Sequence, residues 1–232
     1  MRPTLTLGVL GIGPAATFEF LHKVRGYTPS DAEHEQIRVI ADVNPHLPDL
    51  ATPGSGAGPA LAEAAGALRG AGADVLAIVS DAAHTHLSLV ERASGLPVID
   101  MIATVCKAVH DTGAMRVGVL GSRGALRIYR EYLAAQAMGL ASLDSEAQAE
   151  FAALLQAVRD GDQGPGARAA LTRLAQELVS GGAEAVIAGA PEIAFVLAGA
   201  GVKVPLIEPA EHLARRSVAV CLGLEPAPTV AG

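Results

Sequence analysis

Charge is scarce in this chain and cysteine scarcer. Only 18% of its 232 residues are charged while half are apolar, so a disordered, self-repelling polymer is excluded and a substantial buried core is expected. Tryptophan is absent and aromatics reach only 3%, which leaves Val, Leu, Ile and Ala to fill that core. Basic residues are outnumbered 17 to 24, for a net charge of −7. No basic stripe offsets this deficit, and a net negative chain repels phosphate backbones, so nucleic acid is not an expected partner. Two cysteines, Cys106 and Cys221, cannot build a disulfide framework or a thiolate metal site. Reduced thiols in a cytoplasmic protein are the expectation, with both cysteines as small core residues. No His, Cys and carboxylate spacing points to a metal; His34, His46 and His110 are scattered.

Long uninterrupted apolar runs are also lacking. The start, Met1-Arg2 followed by residues 5–12, has a leader-like look, but Gly8, Gly11, Gly13 and Pro14 punctuate it as a buried strand entering a turn. Residues 185–202 are almost wholly apolar, yet Pro191-Glu192 sits in the middle, where a carboxylate at a bilayer centre is costly. Neither segment reads as a membrane span.

What is present is alternation. Strands are expected at 5–10, 37–41, 75–79, 98–101, 117–120, 185–188 and 204–207. Helical composition occupies 16–24, 59–71, 83–93, 102–111, 126–137, 146–159, 167–180, 192–198 and 211–222. Apolar strands alternating with helices imply an α/β protein with parallel sheets covered on both faces.

A repeat organises this alternation. Gly8-Val9-Leu10-Gly11 returns as Gly118-Val119-Leu120-Gly121, and Gly72-Ala73-Asp74 as Gly182-Ala183-Glu184, both at an offset of 110 residues. Leu96-Pro97-Val98-Ile99-Asp100 is echoed by Val204-Pro205-Leu206-Ile207-Glu208 at an offset of 108. Three matches in order predict two pseudo-symmetric parallel-sheet lobes related by internal duplication, with a ligand cleft between them. The expected division is residues 1–100, then 101–210, then a C-terminal helix and tail at 211–232 that returns to the first lobe. Parallel sheets place ligands beyond the carboxyl ends of their strands, so the loops Ser80-Asp81-Ala82-Ala83-His84 and Gly189-Ala190-Pro191-Glu192 are the expected site.

At these loops the chain resembles the aspartate/glutamate racemase superfamily, over nearly its whole length. Gly11-Ile12-Gly13-Pro14-Ala15-Ala16-Thr17 is similar to that family's glycine-rich signature, and Asn44-Pro45-His46-Leu47-Pro48-Asp49 to its Asn-Pro-x-Ile-Pro-Asp loop. Ala83-His84, Glu192 and Val204-Pro205-Leu206-Ile207-Glu208-Pro209 match later motifs. The resemblance implies a cofactor-independent isomerase or lyase, a small carboxylate or amino-acid-like ligand, and a homodimer. It also implies ligand contacts at Gly13, Pro14, Thr17, Asn44, Ala82, Ala83, Ala190 and Pro191.

The family's paired catalytic cysteines fall at Ser80 and Ala190, so both thiols are gone. Its carboxylate-clamping arginine falls at Leu50, a carboxylate-binding lysine at Gln148, and its Gln-acid-His triplet reads His34-Glu35-Gln36. Asp81 replaces a neutral asparagine. Racemisation by two bases needs a proton carrier on each face. A thiol with a pKa of about 8.5 can serve, but an unassisted serine cannot and alanine has nothing to titrate. Conventional aspartate racemisation is therefore not expected.

What remains supports one-sided acid/base chemistry: isomerisation, elimination, decarboxylation or cyclisation of a small carboxylated compound. Asp81 or His84 would be the base or acid, Ser80 a hydrogen-bond donor and Glu192 an orienting group. Residues 81 and 84 lie about one helical turn apart and can face one side. The plainer reading makes Ser80 and Asp81 a helix N-cap pair. Helix starts after Ser80 and Gly189 would attract an anion, and Arg123 and Arg127 either replace the missing clamp or are a solvated helix start. Two other functions stay open. One is a binding or regulatory homologue without catalysis. The other, remote, is dinucleotide binding by Gly11-Ile12-Gly13-Pro14-Ala15-Ala16 with Asp42 on the next strand, a pattern weakened by Pro14.

Overall fold

The computed structural model describes residues 5–29, 32–48, 50, 54–162, 164–197 and 199–230. Of the residues read above, Met1, Arg2, Asp49 and Ala198 lie outside that set. The chain divides into two compact units, Met1–Thr104 with Ala210–Gly232, and Val105–Pro209.

The first unit is built on a parallel sheet of β1 (Leu7–Gly11), β2 (Val39–Val43), β3 (Val75–Ile78) and β4 (Val98–Ile99), in the order β2-β1-β3-β4. Its helices are α1 (Pro14–Tyr27), α2 (Ala57–Gly70), α3 (Leu87–Ser94), the start of α4 (Met101–Asp111) and most of α9 (Pro209–Cys221). The second unit repeats the plan with β5 (Arg116–Leu120), β6 (Gly139–Ala141), β7 (Ala185–Ala188) and β8 (Leu206–Ile207), in the order β6-β5-β7-β8. It carries α5 (Arg123–Ala135), α6 (Ser145–Arg159), α7 (Pro165–Ser180) and α8 (Pro191–Leu197).

The register makes the duplication explicit. Leu7 lies opposite Val75 and Gly8 opposite Leu76, while Val117 lies opposite Ala185 and Gly118 opposite Val186. The repeated sequence motifs have a mechanical reason. Gly72 and Gly182 take positive φ of +96° and +93°, which a side chain would resist. The next residues but one, Asp74 and Glu184, accept backbone N–H bonds at the entry to the first strand of each sheet. Asp74 Oδ2 accepts from Thr6 at 2.7 Å, and Glu184 Oε2 from Met115 at 2.6 Å. Between them, Ala73 and Ala183 press on the strand glycines. A Cβ on Gly8 would come 2.9 Å from that of Ala73, and one on Gly118 3.3 Å from that of Ala183.

Helix starts follow local chemistry. Proline at the first position sets φ for α1 and α7, so α1 opens at Pro14 rather than at residue 16. Ser122 caps α5 through Ala125 N–H, and Asp144 caps α6 through Glu146 and Ala147 N–H. The single helix expected over 83–93 is instead a 3₁₀ turn, Ala82–His86, followed by α3. There the Thr85 hydroxyl and the His84 ring bond the carbonyls of Ala82 and Ser80, competing with regular helix. Strand β6 was not expected, being three residues, Gly-Leu-Ala, without β-branching.

Each unit has its own core. In the first, Leu10, Leu61, Leu76, Ile78 and Val90 pack together, with Leu50 partly buried against them. In the second, Leu120, Phe151, Leu171, Leu174 and Ile193 do so. Cys106 and Cys221 are buried and form no disulfide; burial with Asp74 nearby pushes the Cys221 thiol up to about 12.

Candidate functional site

In the first unit the strand-end loops converge on the end of β1. Val79 N–H donates to Leu10 O on one side and Asn44 N–H to Gly11 O on the other, both at 3.0 Å. The segment carrying Ser80 and Asp81 and the one carrying Asn44 therefore flank β1, two strand spacings or about 10 Å apart. Asn44 is shaped by an Asx turn, its Oδ1 accepting from His46 N–H at 2.9 Å.

Asp81 is the electrostatic centre of this loop. It stands at the N-cap of the 3₁₀ turn with αR backbone, and its side chain makes no capping bond. The N-cap reading is thus not realised. Burial pushes its carboxyl up to about 7, opposed only by a bond from its own backbone N–H. Among the described residues no cation pairs with it. Ser80 beside it is half-buried and its hydroxyl makes no hydrogen bond among the described residues.

His84 does not fit the acid/base role expected of it. Its ring is buried, Nδ1 lies 2.8 Å from Ser80 O, and Nε2 accepts from Met101 N–H at 3.0 Å. Because Nε2 accepts, Nδ1 carries the proton and donates, which fixes the neutral tautomer. Burial holds its pKa below the usual imidazole value, against a rise from Asp100, whose Oδ1 stands 3.8 Å away. Both nitrogens are spent on the backbone, so His84 ties the Ser80 loop to the start of α4. Asp100, not singled out from sequence, supports that junction: its Oδ1 accepts Ala103 N–H at 3.0 Å. Its place directly after a strand and before a helix is the signal that marks it as a cap.

The glycine-rich turn is occupied with packing. Thr17 is fully buried and its hydroxyl donates to Gly13 O at 2.8 Å. A Cβ on Gly11 would come 2.5 Å from that hydroxyl, so Gly11 serves strand–helix contact. Gly13 and Pro14 are exposed, Ala82 is half-buried and Ala83 buried. With the turn glycine spent on Thr17 and Pro14 opening α1, the dinucleotide reading loses its basis.

In the second unit, position 190 is a buried alanine whose carbonyl accepts the N–H groups of Ile193 and Ala194. Pro191 opens α8, which has seven residues, and the segment after Ser80 is a 3₁₀ turn. A helix therefore starts after Gly189, as expected, though it is short and its first residue lacks an N–H, whereas the α-helix start expected after Ser80 is a 3₁₀ turn. Glu192 Oε1 lies 3.6 Å from Arg159 Nε, a partner the sequence reading did not find because α6 is distant in the chain. Its Oε2 is buried with no hydrogen-bond partner among the described residues. Gln148 Nε2 donates to Gly121 O at 3.0 Å, bracing the second glycine-rich turn. Arg123 and Arg127 are exposed on α5, with no ion pair among the described residues. Also among the described residues, no group of three or more His, Cys, Asp or Glu could hold a metal, and no helix is long and apolar enough to cross a membrane.

Two parallel four-stranded sheets of one topology, with the candidate side chains beyond their strand ends, define a duplicated α/β class, and solved structures share it. A protein from Yersinia pestis described as an Asp/Glu racemase matches with a TM-score of 0.85 at 20% identity, over 96% of this chain and 100% of that one. Glutamate racemase from Francisella tularensis, solved with D-glutamate, matches at 0.67 and 16%, over 94% and 80%. Arylmalonate decarboxylase matches at 0.58 and 14%, over 94% and 92%. At these identities the likeness is one of fold. The family model for Asp/Glu/hydantoin racemases matches residues 9–216, and the chain belongs to that family.

Proposed function

We propose that this racemase-family protein catalyses one-sided acid/base chemistry on a small carboxylated or amino-acid-like compound, without thiol or cofactor, with Asp81 moving the proton. The observation that carries this reading is the contrast between the two duplicated loops. One presents a carboxyl pushed up to about 7 beside an unengaged serine hydroxyl, and the other has alanine and proline at the equivalent positions. A carboxyl near 7 is present in both protonation states at neutral pH, which suits it to take a proton and return it. Ala190, where the family's second thiol falls, has no titratable group to act as a second base. Isomerisation, elimination, decarboxylation and cyclisation fit one proton carrier; symmetric racemisation does not.

Ser80 would donate a hydrogen bond to the substrate, His84 would hold the loop, and Glu192 with Arg159 would shape the second loop. Asn44 offers a neutral contact on the other side of β1. A cytoplasmic homodimer completes the reading. The test is proton NMR in D₂O with small amino acids, dicarboxylates and malonates. Loss of a carbon-bound proton signal, or a new product, is expected, and Asp81→Asn should slow it by about 10²–10⁴-fold. A fully active Asp81→Asn protein would refute the assignment.

A second reading, ligand binding without turnover, draws on His84, an expected catalytic group whose two ring nitrogens are both taken by the backbone. Saturable binding of panel compounds with every proton signal intact would favour it.

A further inference from the structure

Helix α5 turns a basic face to solvent. Arg123, Arg127 and Arg130 are exposed, four and then three residues apart, which places them within an arc of about 60° and a length of about 10 Å. Among the described residues their guanidinium groups make no ion pair and no hydrogen bond, and Glu131 on the flank pairs with none of them. Arginines on other helices do find acids: Arg159 faces Glu192, Arg173 faces Glu150 and Glu177, and Arg215 faces Glu211. The placement also runs against the helix itself. Arg123 is the first residue of α5, where the dipole favours an anion, and that turn holds no acid. The first turns of α6, α8 and α9 hold Glu146, Glu192 and Glu211. Ala125, Ile128, Tyr129 and Leu133, on the inner face of α5, are buried, so the arginines stand on a fixed support.

We infer that this face of α5 is a docking surface for an acidic segment of a protein partner, with one carboxylate meeting each guanidinium. The arginine fork matches a carboxylate with two parallel N–H donors, and a segment rich in Glu and Asp presents such groups at intervals the three arginines span. Charge complementarity selects this occupant. A small anion gains little from a convex helix surface that touches it on one side only. A membrane or a nucleic acid extends its charge well beyond the patch, against a molecule whose net charge of −7 repels it. A short acidic segment meets the local field alone, within about one Debye length. The inference is independent of Asp81 and of the reaction proposed for it.

A labelled peptide of about eight residues, alternating glutamate with alanine, tests it by fluorescence anisotropy against the full chain at about 50 mM salt. Saturable binding is expected, weakening about tenfold when salt is raised to about 300 mM. Arg127→Glu with Arg130→Glu reverses two of the three contacts and should raise Kd by about 10–100-fold. Arg25→Glu with Arg92→Glu, at exposed residues of α1 and α3, makes the same change in net charge and should leave Kd within about twofold. Arg123→Glu should weaken binding too, yet raise the thermal midpoint by about 1–3 °C by placing an acid at the helix start. No binding, an equal loss in both double variants, or tighter binding of polyphosphate or phosphatidylserine vesicles than of the peptide overturns the inference. So does a lower midpoint for Arg123→Glu, since the arginine would then serve α5 itself.

Discussion

Replacing Asp81 by asparagine, the residue of the resembling family's motif, isolates the effect of burying one carboxyl. In the folded chain that group titrates at about 7, against 3.8 for an unperturbed aspartate. Between those values the native state holds a proton that the unfolded chain has already released. Stability therefore falls as pH rises through that window, and the loss is complete above the folded value. At about 1.4 kcal/mol per tenfold in the proton equilibrium, the span corresponds to an upper bound of about 4 kcal/mol. Because Asp81 is only half-buried, solvent screening cuts the expected figure to about 2 kcal/mol. Asparagine has the same shape and does not ionise, so the variant lacks this loss. Urea unfolding of both proteins from pH 4 to 8.5 should show the variant gaining on the wild type by about 2 kcal/mol between pH 4 and 7, then no further. His84 titrates in the same region with the opposite sign: its folded pKa is depressed, so its contribution is lost as pH falls below the unfolded value. That contribution is common to both proteins and largely cancels in the difference. A difference flat across the range would mean that Asp81 ionises normally, and the proposed proton carrier would lose its physical basis.

Four further outcomes follow from the same geometry. If Asp81 acts as the base, the exchange rate in D₂O should rise with pH and level off above about 7, where the carboxylate form dominates; a rate that falls through this range would contradict that role. His84→Ala removes both ring bonds between the Ser80 loop and α4 and should lower unfolding stability by about 2–4 kcal/mol, measured in urea at pH 7.5. Gly189→Ala would bring a Cβ within 2.9 Å of Leu120 O, a backbone atom, and should destabilise the second unit by about 1–3 kcal/mol, seen as a lower thermal midpoint. Cys221, buried with a thiol near 12, should resist a thiol reagent at pH 8 until denaturant is added.

Much of this architecture is legible in the residues, for reasons that are local. The strand at 185–188 is as expected, because an apolar run bounded by the Gly-Ala-Glu turn and Gly189 leaves no alternative. The 110-residue offset was a fair guide to pairing, since the register of β1 on β3 and of β5 on β7 repeats it. Strand β6 escaped because its pairing with β5 supplies what its composition does not. The candidate site was legible as a location but not as roles. Asp81 and Ser80 look like a cap in sequence; only burial and the absence of a capping bond set the carboxylate apart. His84 looks like an acid in a motif; its two backbone partners, one from α4, are matters of tertiary contact. The Arg159–Glu192 pair joins α6 to α8 across a stretch of chain that no local pattern bridges.

The division of the chain has a consequence for how it comes off the ribosome. The second unit is one continuous stretch, whereas the first is interrupted by it and includes residues from 210 onward. Leu5 N–H, at the approach to β1, donates to Cys221 O at the end of α9, so the first unit is completed only by a helix that follows the second unit in the chain. During vectorial synthesis the later half can complete its core before the earlier half closes. Whatever part of the first unit α9 completes is then open to chaperones and proteases until that helix emerges.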